Sequence, residues 1–267
     1  KGDLMKLAIV GKGGVGKTTI AGTLARLFAR DGYRVIAVDA DPSLNLASSL
    51  GIPQYRLEEI TPLAENIELI RSRTSMGYGL INLTPRVDDI VEKYSLVGPD
   101  GVRLLVMGTV KTGGTRCLCP ENAFLRALLA HLILGRKDMV ILDMVAGLEH
   151  MARGTARGVD LMLCVVEPSM KAVETARRIR DLARDIEVRN VAVVGNKVRT
   201  ERELKFLETS MNELALPILE VIPYDESIID ADFKGSALLD YDEESKAVKA
   251  LIRLKNRIVR DYFAYRE

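Results

Sequence analysis

A glycine-rich loop set between a strand and a helix limits what this chain can fold into more than any other feature. Residues 11–19 read GKGGVGKTT, directly behind the apolar run LAIV at 7–10. Gly11, Gly16, Lys17 and Thr18 meet the spacing G-x-x-x-x-G-K-[ST]. The backbone of such a loop wraps an anion with its N–H groups turned inward, and a Cβ at the tight positions obstructs the turn. The helix that follows adds its N-terminal amides and the positive end of its dipole. Gly13, Gly14, Val15, Gly16, Lys17, Thr18 and Thr19 therefore read as a nucleotide phosphate cradle. Lys17 is expected on the β- and γ-phosphates and the Thr18 hydroxyl on magnesium. The alternative is a plain glycine turn, and the full motif in its strand-to-helix context outweighs it.

Further short runs rich in β-branched residues recur at 34–39, 102–107, 138–143, 160–168, 190–196 and 217–223. With LAIV they make seven buried strands, alternating with helical patterns. The clearest helix covers 169–186, where Ala172, Val173, Ala176, Ile179, Ala183 and Ile186 share a face and Ser169 serves as N-cap. Alternation of this kind predicts an α/β fold, a mostly parallel sheet of seven to eight strands with helices on both faces. At 267 residues and 48% hydrophobic content the chain has enough apolar surface for one domain, expected over 5–267, with residues 1–4 a remnant ahead of Met5.

Two stretches break the rhythm. Residues 53–100 carry four prolines among short helical patterns and read as excursions around the nucleotide end of the sheet; residues 108–121 read as a glycine-punctuated loop before a helix starting near Glu121.

Charge and cysteine usage exclude several classes of function. A net charge of +1 supplies no overall field for nucleic acid or an anionic membrane. Three cysteines without a leader-like segment argue for a reducing cytoplasm. No apolar run approaches the roughly 18 residues that a membrane span requires.

Three aspartates fall at strand ends. Asp39 and Asp41 close the run ending VDADPS, and Asp143 closes MVILD. Ligands of open α/β sheets bind outside the carboxyl ends of the strands, so all three face the expected crevice. Asp39 and Asp143 are candidate magnesium supports, and Gly147 offers an N–H to the γ-phosphate. At 195–199, GNKVR places Arg199 where guanine readers of this type carry an aspartate, which points to adenine.

KGGVGKTT is similar to the deviant phosphate loop of the ATPases that include nitrogenase iron protein, MinD and ParA. The resemblance implies that Lys12 acts in trans on ATP held by a second subunit. It also implies that Asp41 orients the attacking water and that Asn196, Pro223 and Tyr224 line the adenine, with Lys197 a further nucleotide-binding residue.

Cysteine raises a separate question. Cys164 lies in an apolar strand and reads as core. Cys117 and Cys119 sit one residue apart in TRCLCPEN, too close for an unstrained disulfide and too few for a four-ligand metal site. The bland reading makes them two partly buried thiols without a role. A two-fold homodimer solves the ligand count by bringing two such pairs together for Zn²⁺ or Ni²⁺.

GGTRCLCPENAFLRALL, DMVAGLEHMARGTARGVD and the phosphate loop together resemble the CooC family, the nickel-inserting ATPases of carbon monoxide dehydrogenase maturation. That resemblance implies an ATP- and metal-promoted homodimer with carbon monoxide dehydrogenase as client. It implies neither nucleic acid nor stable membrane association. His150 in GLEH reads as structural rather than as a ligand. One rival is a MinD- or ParA-like regulator, for which the basic amphipathic tail 247–263 would have to seek membrane or DNA. A nitrogenase-like reductase is the other, and DMVAGLEH lacks the cysteine it needs.

Overall fold

The computed structural model describes residues 5–40, 45–58, 60–76, 78, 80–108, 120–135, 138–144 and 158–263. The chain starts in β1 (Lys6–Gly11), turns through the glycine loop into α1 (Lys17–Arg30) and returns in β2 (Val35–Asp39). Four short helices follow, α2 (Leu46–Ser49), α3 (Gln54–Leu57), α4 (Ile67–Thr74) and α5 (Ile90–Tyr94), then β3 (Leu96–Val97) and β4 (Arg103–Val106). Next come α6 (Pro120–Ala130), β5 (Met139–Asp143), β6 (Leu161–Val166), α7 (Met170–Asp185), β7 (Val191–Val198) and α8 (Glu201–Glu213). The described chain ends with β8 (Ile218–Pro223), α9 (Glu226–Phe233), α10 (Leu238–Tyr241) and α11 (Lys246–Ile258), closed by one π-helical turn.

All eight strands join one sheet in the order β3-β4-β2-β5-β1-β6-β7-β8, parallel except for the β3–β4 pair. All seven expected strands are present. The eighth, β3, spans only two residues, too short to leave a periodic signal. The central strands carry apolar residues in both directions because both faces are covered. From β1, Leu7 and Ile9 pack with Leu24 and Phe28 of α1 and Leu251 of α11. Ala8 and Val10 pack on the opposite face with Phe124 of α6, Ile179 of α7 and Leu207 of α8.

Helix starts follow local chemistry. Ser169 Oγ accepts from the Ala172 N–H, and Thr200 with Glu203 forms a reciprocal capping box ahead of α8. The apolar stripe of the basic C-terminal helix is consumed by the fold. Ala247, Val248, Ala250, Leu251, Leu254 and Ile258 are all buried, and α11 packs on β8 and α1. Each large apolar side chain buried there stabilises the fold by about 1.5–3 kcal/mol.

The excursion at 53–100 reaches the carboxyl end of the sheet, where the Ala64 N–H donates to the carbonyl of Met107 just past β4, and the rest of it spreads beyond that end. Leu63, Leu69, Ile70, Ile90 and Val91 enter the core on the α6 face, and β3 extends the sheet beyond β4. None of its described residues lines the nucleotide cleft. Its prolines and short helices close a sheet edge, a task that any compact apolar insertion can perform.

Candidate nucleotide site

The phosphate loop owes its shape to backbone geometry. Gly14 and Gly16 adopt φ values of 79° and 96°, in the left-handed region. A Cβ on Gly16 would stand 2.5 Å from Asn196 Nδ2. Gly16 starts α1 without a side-chain cap, and the first turn has no acidic residue, so the positive helix end stays uncompensated for an anion. Lys17 is 5% exposed, and its ammonium donates to the Lys12 carbonyl at 3.4 Å. Thr18 and Thr19 line the cleft, whereas the Val15 side chain is core and contributes its backbone to the loop.

Two donors from the end of β7 hold the loop from outside. Asn196 Nδ2 donates to the Val15 carbonyl at 2.7 Å, and Lys197 Nζ to the Gly14 carbonyl at 2.6 Å. Lys197 reaches that position from a φ of 60°, at the break in register between Gly195 and Val198. The sequence puts Asn196 at the base and Lys197 in the nucleotide site; the structure sets the Nδ2 donor of one and the ammonium of the other on the phosphate loop. Nothing in a bare Asn-Lys pair reveals that bulge.

Asp39 and Asp143 are register partners at the ends of β2 and β5, and both are buried. Asp39 Oδ2 accepts from the Leu46 N–H at 3.0 Å, which fixes one carboxylate oxygen. Two buried carboxylates at adjacent strand ends are hard oxygen donors of the kind that suits Mg²⁺. Among the described residues no group of three or more His, Cys, Asp or Glu could hold a metal by itself, so the phosphates and water must complete such a shell.

Lys12 is engaged by a carboxylate. Its ammonium pairs with Glu167 Oε1 at 3.3 Å, and Ser169 Oγ donates to the same oxygen at 3.3 Å. The sequence carried no signal for Glu167, which follows β6 by chain position alone.

The cleft measures about 1330 Å³. Gly13, Gly14, Gly16 and Lys17 line its phosphate end together with Lys197, whose ammonium meets Gly14, and Arg199, Pro223 and Tyr224 line it from beyond Lys197. Asp225 also lines it and bonds two backbones, Oδ1 accepting from Ser227 and Oδ2 from Ala247. Burial pushes the Asp225 carboxyl up, but these amides outweigh that and hold it below its ordinary 3.8. An aspartate ahead of an apolar helix is an N-cap signature, so Asp225 was readable.

Asp41, Cys117, Cys119, Gly147 and His150 lie outside the described residues. Cys164 is buried on β6, as expected for a core residue, and burial pushes its thiol up to about 12. A thiol so hard to ionise is a poor nucleophile and ligand.

A phosphate loop behind a central parallel strand, with carboxylates at neighbouring strand ends, defines a P-loop nucleoside triphosphatase. Residues 7–239 match the family described as CobQ/CobB/MinD/ParA nucleotide binding domain. The carbon monoxide dehydrogenase accessory protein CooC of Rhodospirillum rubrum is 43% identical over 240 residues, covering 88% of this chain and 90% of that protein. An uncharacterized ATP-binding protein of Methanocaldococcus jannaschii is 44% identical, covering 96% of this chain and 98% of its own length. Among solved structures, MinD in the MinC:MinD complex of Aquifex aeolicus aligns with a TM-score of 0.70 at 21% identity, over 95% of each chain. The chain belongs to the CobQ/CobB/MinD/ParA family, as an ATPase of the CooC type.

Proposed function

We propose that this ATPase is a metallochaperone that dimerises with ATP and holds Ni²⁺ or Zn²⁺ between subunits at Cys117 and Cys119. Hydrolysis is then coupled to nickel insertion into carbon monoxide dehydrogenase. One observation carries the reading: a Cys-x-Cys pair in a chain 43% identical to a carbon monoxide dehydrogenase accessory protein. Lys17 neutralises the β- and γ-phosphates, and Thr18, Asp39 and Asp143 hold the magnesium that offsets charge on the transferred phosphoryl group. Asp41 orients the water. Lys12 acts on the partner's nucleotide, for which it must leave Glu167. Asn196 and the Pro223–Tyr224 segment take the adenine.

Two thiolates per chain leave a tetrahedral or square-planar shell half filled, so the metal and the second subunit bind together. By linkage, ATP and metal each strengthen the other's binding. A MinD-like membrane role finds less support, because the apolar face of α11 is buried in the fold. No helix among the described residues is long and apolar enough to cross a membrane.

Metal titration by calorimetry, with and without a non-hydrolysable ATP analogue and with light scattering for mass, tests the proposal. Wild type is expected to take one Ni²⁺ or Zn²⁺ per two chains, more tightly with nucleotide, and to release protons as thiols ionise. Cys117→Ser with Cys119→Ser should lose the metal and keep the nucleotide. Tight binding of one metal per monomer, or unchanged binding by the double variant, overturns it.

A further inference from the structure

Two flat side chains lie one on the other at the base end of the cleft. The Arg199 guanidinium carbon is 3.9 Å from the Tyr224 ring centroid, and both residues line the cavity. Their backbones are held from behind. The Arg199 N–H donates to Glu203 Oε2 at 2.6 Å, from the carboxylate that also closes the capping box of α8. The Tyr224 N–H donates to the Val198 carbonyl at 2.8 Å. Arg199 is itself exposed, so no core packing accounts for its position.

Asn196 sets the polarity of the site from another direction. Its Nδ2 is committed to Val15, which fixes the amide orientation and leaves Oδ1 as the acceptor. That oxygen is buried and has no hydrogen-bond partner among the described residues. A buried acceptor of this kind calls for a donor from the ligand.

We infer that Arg199, held against Tyr224, determines base specificity by receiving adenine and turning guanine away. The inference rests on Asn196 and the Tyr224 segment forming the base site. A guanidinium carries five donors and no acceptor. Adenine presents ring-nitrogen acceptors on its Watson–Crick and minor-groove edges and a donor at N6, matching Arg199 and Asn196 Oδ1 in turn. Guanine reverses both: N1–H and the N2 amino group meet a donor, and O6 meets an acceptor. The two mismatches add in the same direction. The planar fork fixes the direction of those donors, which the flexible lysine ammonium does not.

Hydrolysis and equilibrium binding of ATP and GTP by Arg199→Ala, Arg199→Lys, Arg199→Asp and Tyr224→Leu test this, with melting temperatures to confirm folding. Arg199→Ala is expected to raise the KM for ATP about tenfold with kcat nearly unchanged, and to cut the preference for ATP over GTP about tenfold. Arg199→Lys should behave like the alanine variant, Tyr224→Leu should fall between, and Arg199→Asp should favour GTP. An unchanged preference in Arg199→Ala, or equal losses for both nucleotides, overturns the inference while leaving the ATPase intact. If Asn196→Ala leaves ATP binding unchanged, the placement of the base site fails, and this inference fails with it.

Discussion

The two ends of the cleft are built from different material. At the phosphate end, recognition is carried by backbone: left-handed glycines, helix amides, and two carbonyls held outward by Asn196 and Lys197. At the end proposed to take the base, the structure presents side chains instead, the Arg199–Tyr224 stack and the Asp225 carboxylate that ties α9 to α11. Backbone geometry tolerates little substitution, because one altered φ displaces every N–H in the loop. Side-chain recognition is graded, since each group can be trimmed alone. The difference teaches that one nucleotide pocket can be all-or-none at one end and tunable at the other.

Lys17→Ala is the largest expected effect and the test most able to break that contrast. The variant removes a cation buried in the cradle while leaving the glycine turn in place. Charged hydrogen bonds contribute about 1.5–3 kcal/mol each, so ATP affinity should fall by at least about 100-fold with little change in melting temperature. Calorimetric titration with MgATP measures it. A loss under about threefold would show that backbone amides alone grip the phosphates.

Next comes Gly16→Ala, which sharpens the contrast by testing the backbone directly. The new Cβ meets Asn196 Nδ2 and sits at a positive φ. Strain and clash together should cost about 2–3 kcal/mol of stability. Asn196→Ala alone should cost about 1–3 kcal/mol by orphaning the Val15 carbonyl. In the double variant the clash is gone and the φ strain remains, so denaturant melts should show a loss below the sum. Strict additivity would separate the two residues and leave the loop shape to glycine alone.

Legibility in the sequence divided along the same line. The phosphate end was readable from Gly11 to Thr18 because a tight anion-binding turn admits few residues, and all seven major strands were readable because burial on both faces leaves unbroken apolar runs. The base end was legible only in outline. Arg199 could be read as a missing aspartate, but its stack on Tyr224 depends on how β7 and β8 end side by side, which no local pattern encodes. The bulge that turns Lys197 toward Gly14 and the Lys12–Glu167 pair are likewise products of sheet order. The excursion at 53–100 was legible in part: its Ala64–Met107 contact lies at the carboxyl end of the sheet, but prolines and short helices announce irregular chain without saying which edge the rest covers.

Asp225→Asn has the smallest expected effect and is the most discriminating for the base end. The carboxylate accepts from both Ser227 and Ala247, whereas an amide can present an acceptor to only one and must turn its NH₂ toward the other. The expected loss is about 1 kcal/mol at neutral pH, a fall of roughly 2–4 °C in melting temperature. The pH dependence supplies the signature. The folded protein holds this carboxyl below its ordinary 3.8, so its contribution is full above 3.8 and disappears as pH falls through the lower folded value. The asparagine variant has no such proton to bind. The gap in melting temperature between wild type and variant should therefore be widest near neutrality and narrow below pH 3.8. Phosphate recognition lies on other elements, so the affinity for inorganic triphosphate should not move. A gap that stays constant across that range would mean that shape at the start of α9, rather than charge, holds the base end together.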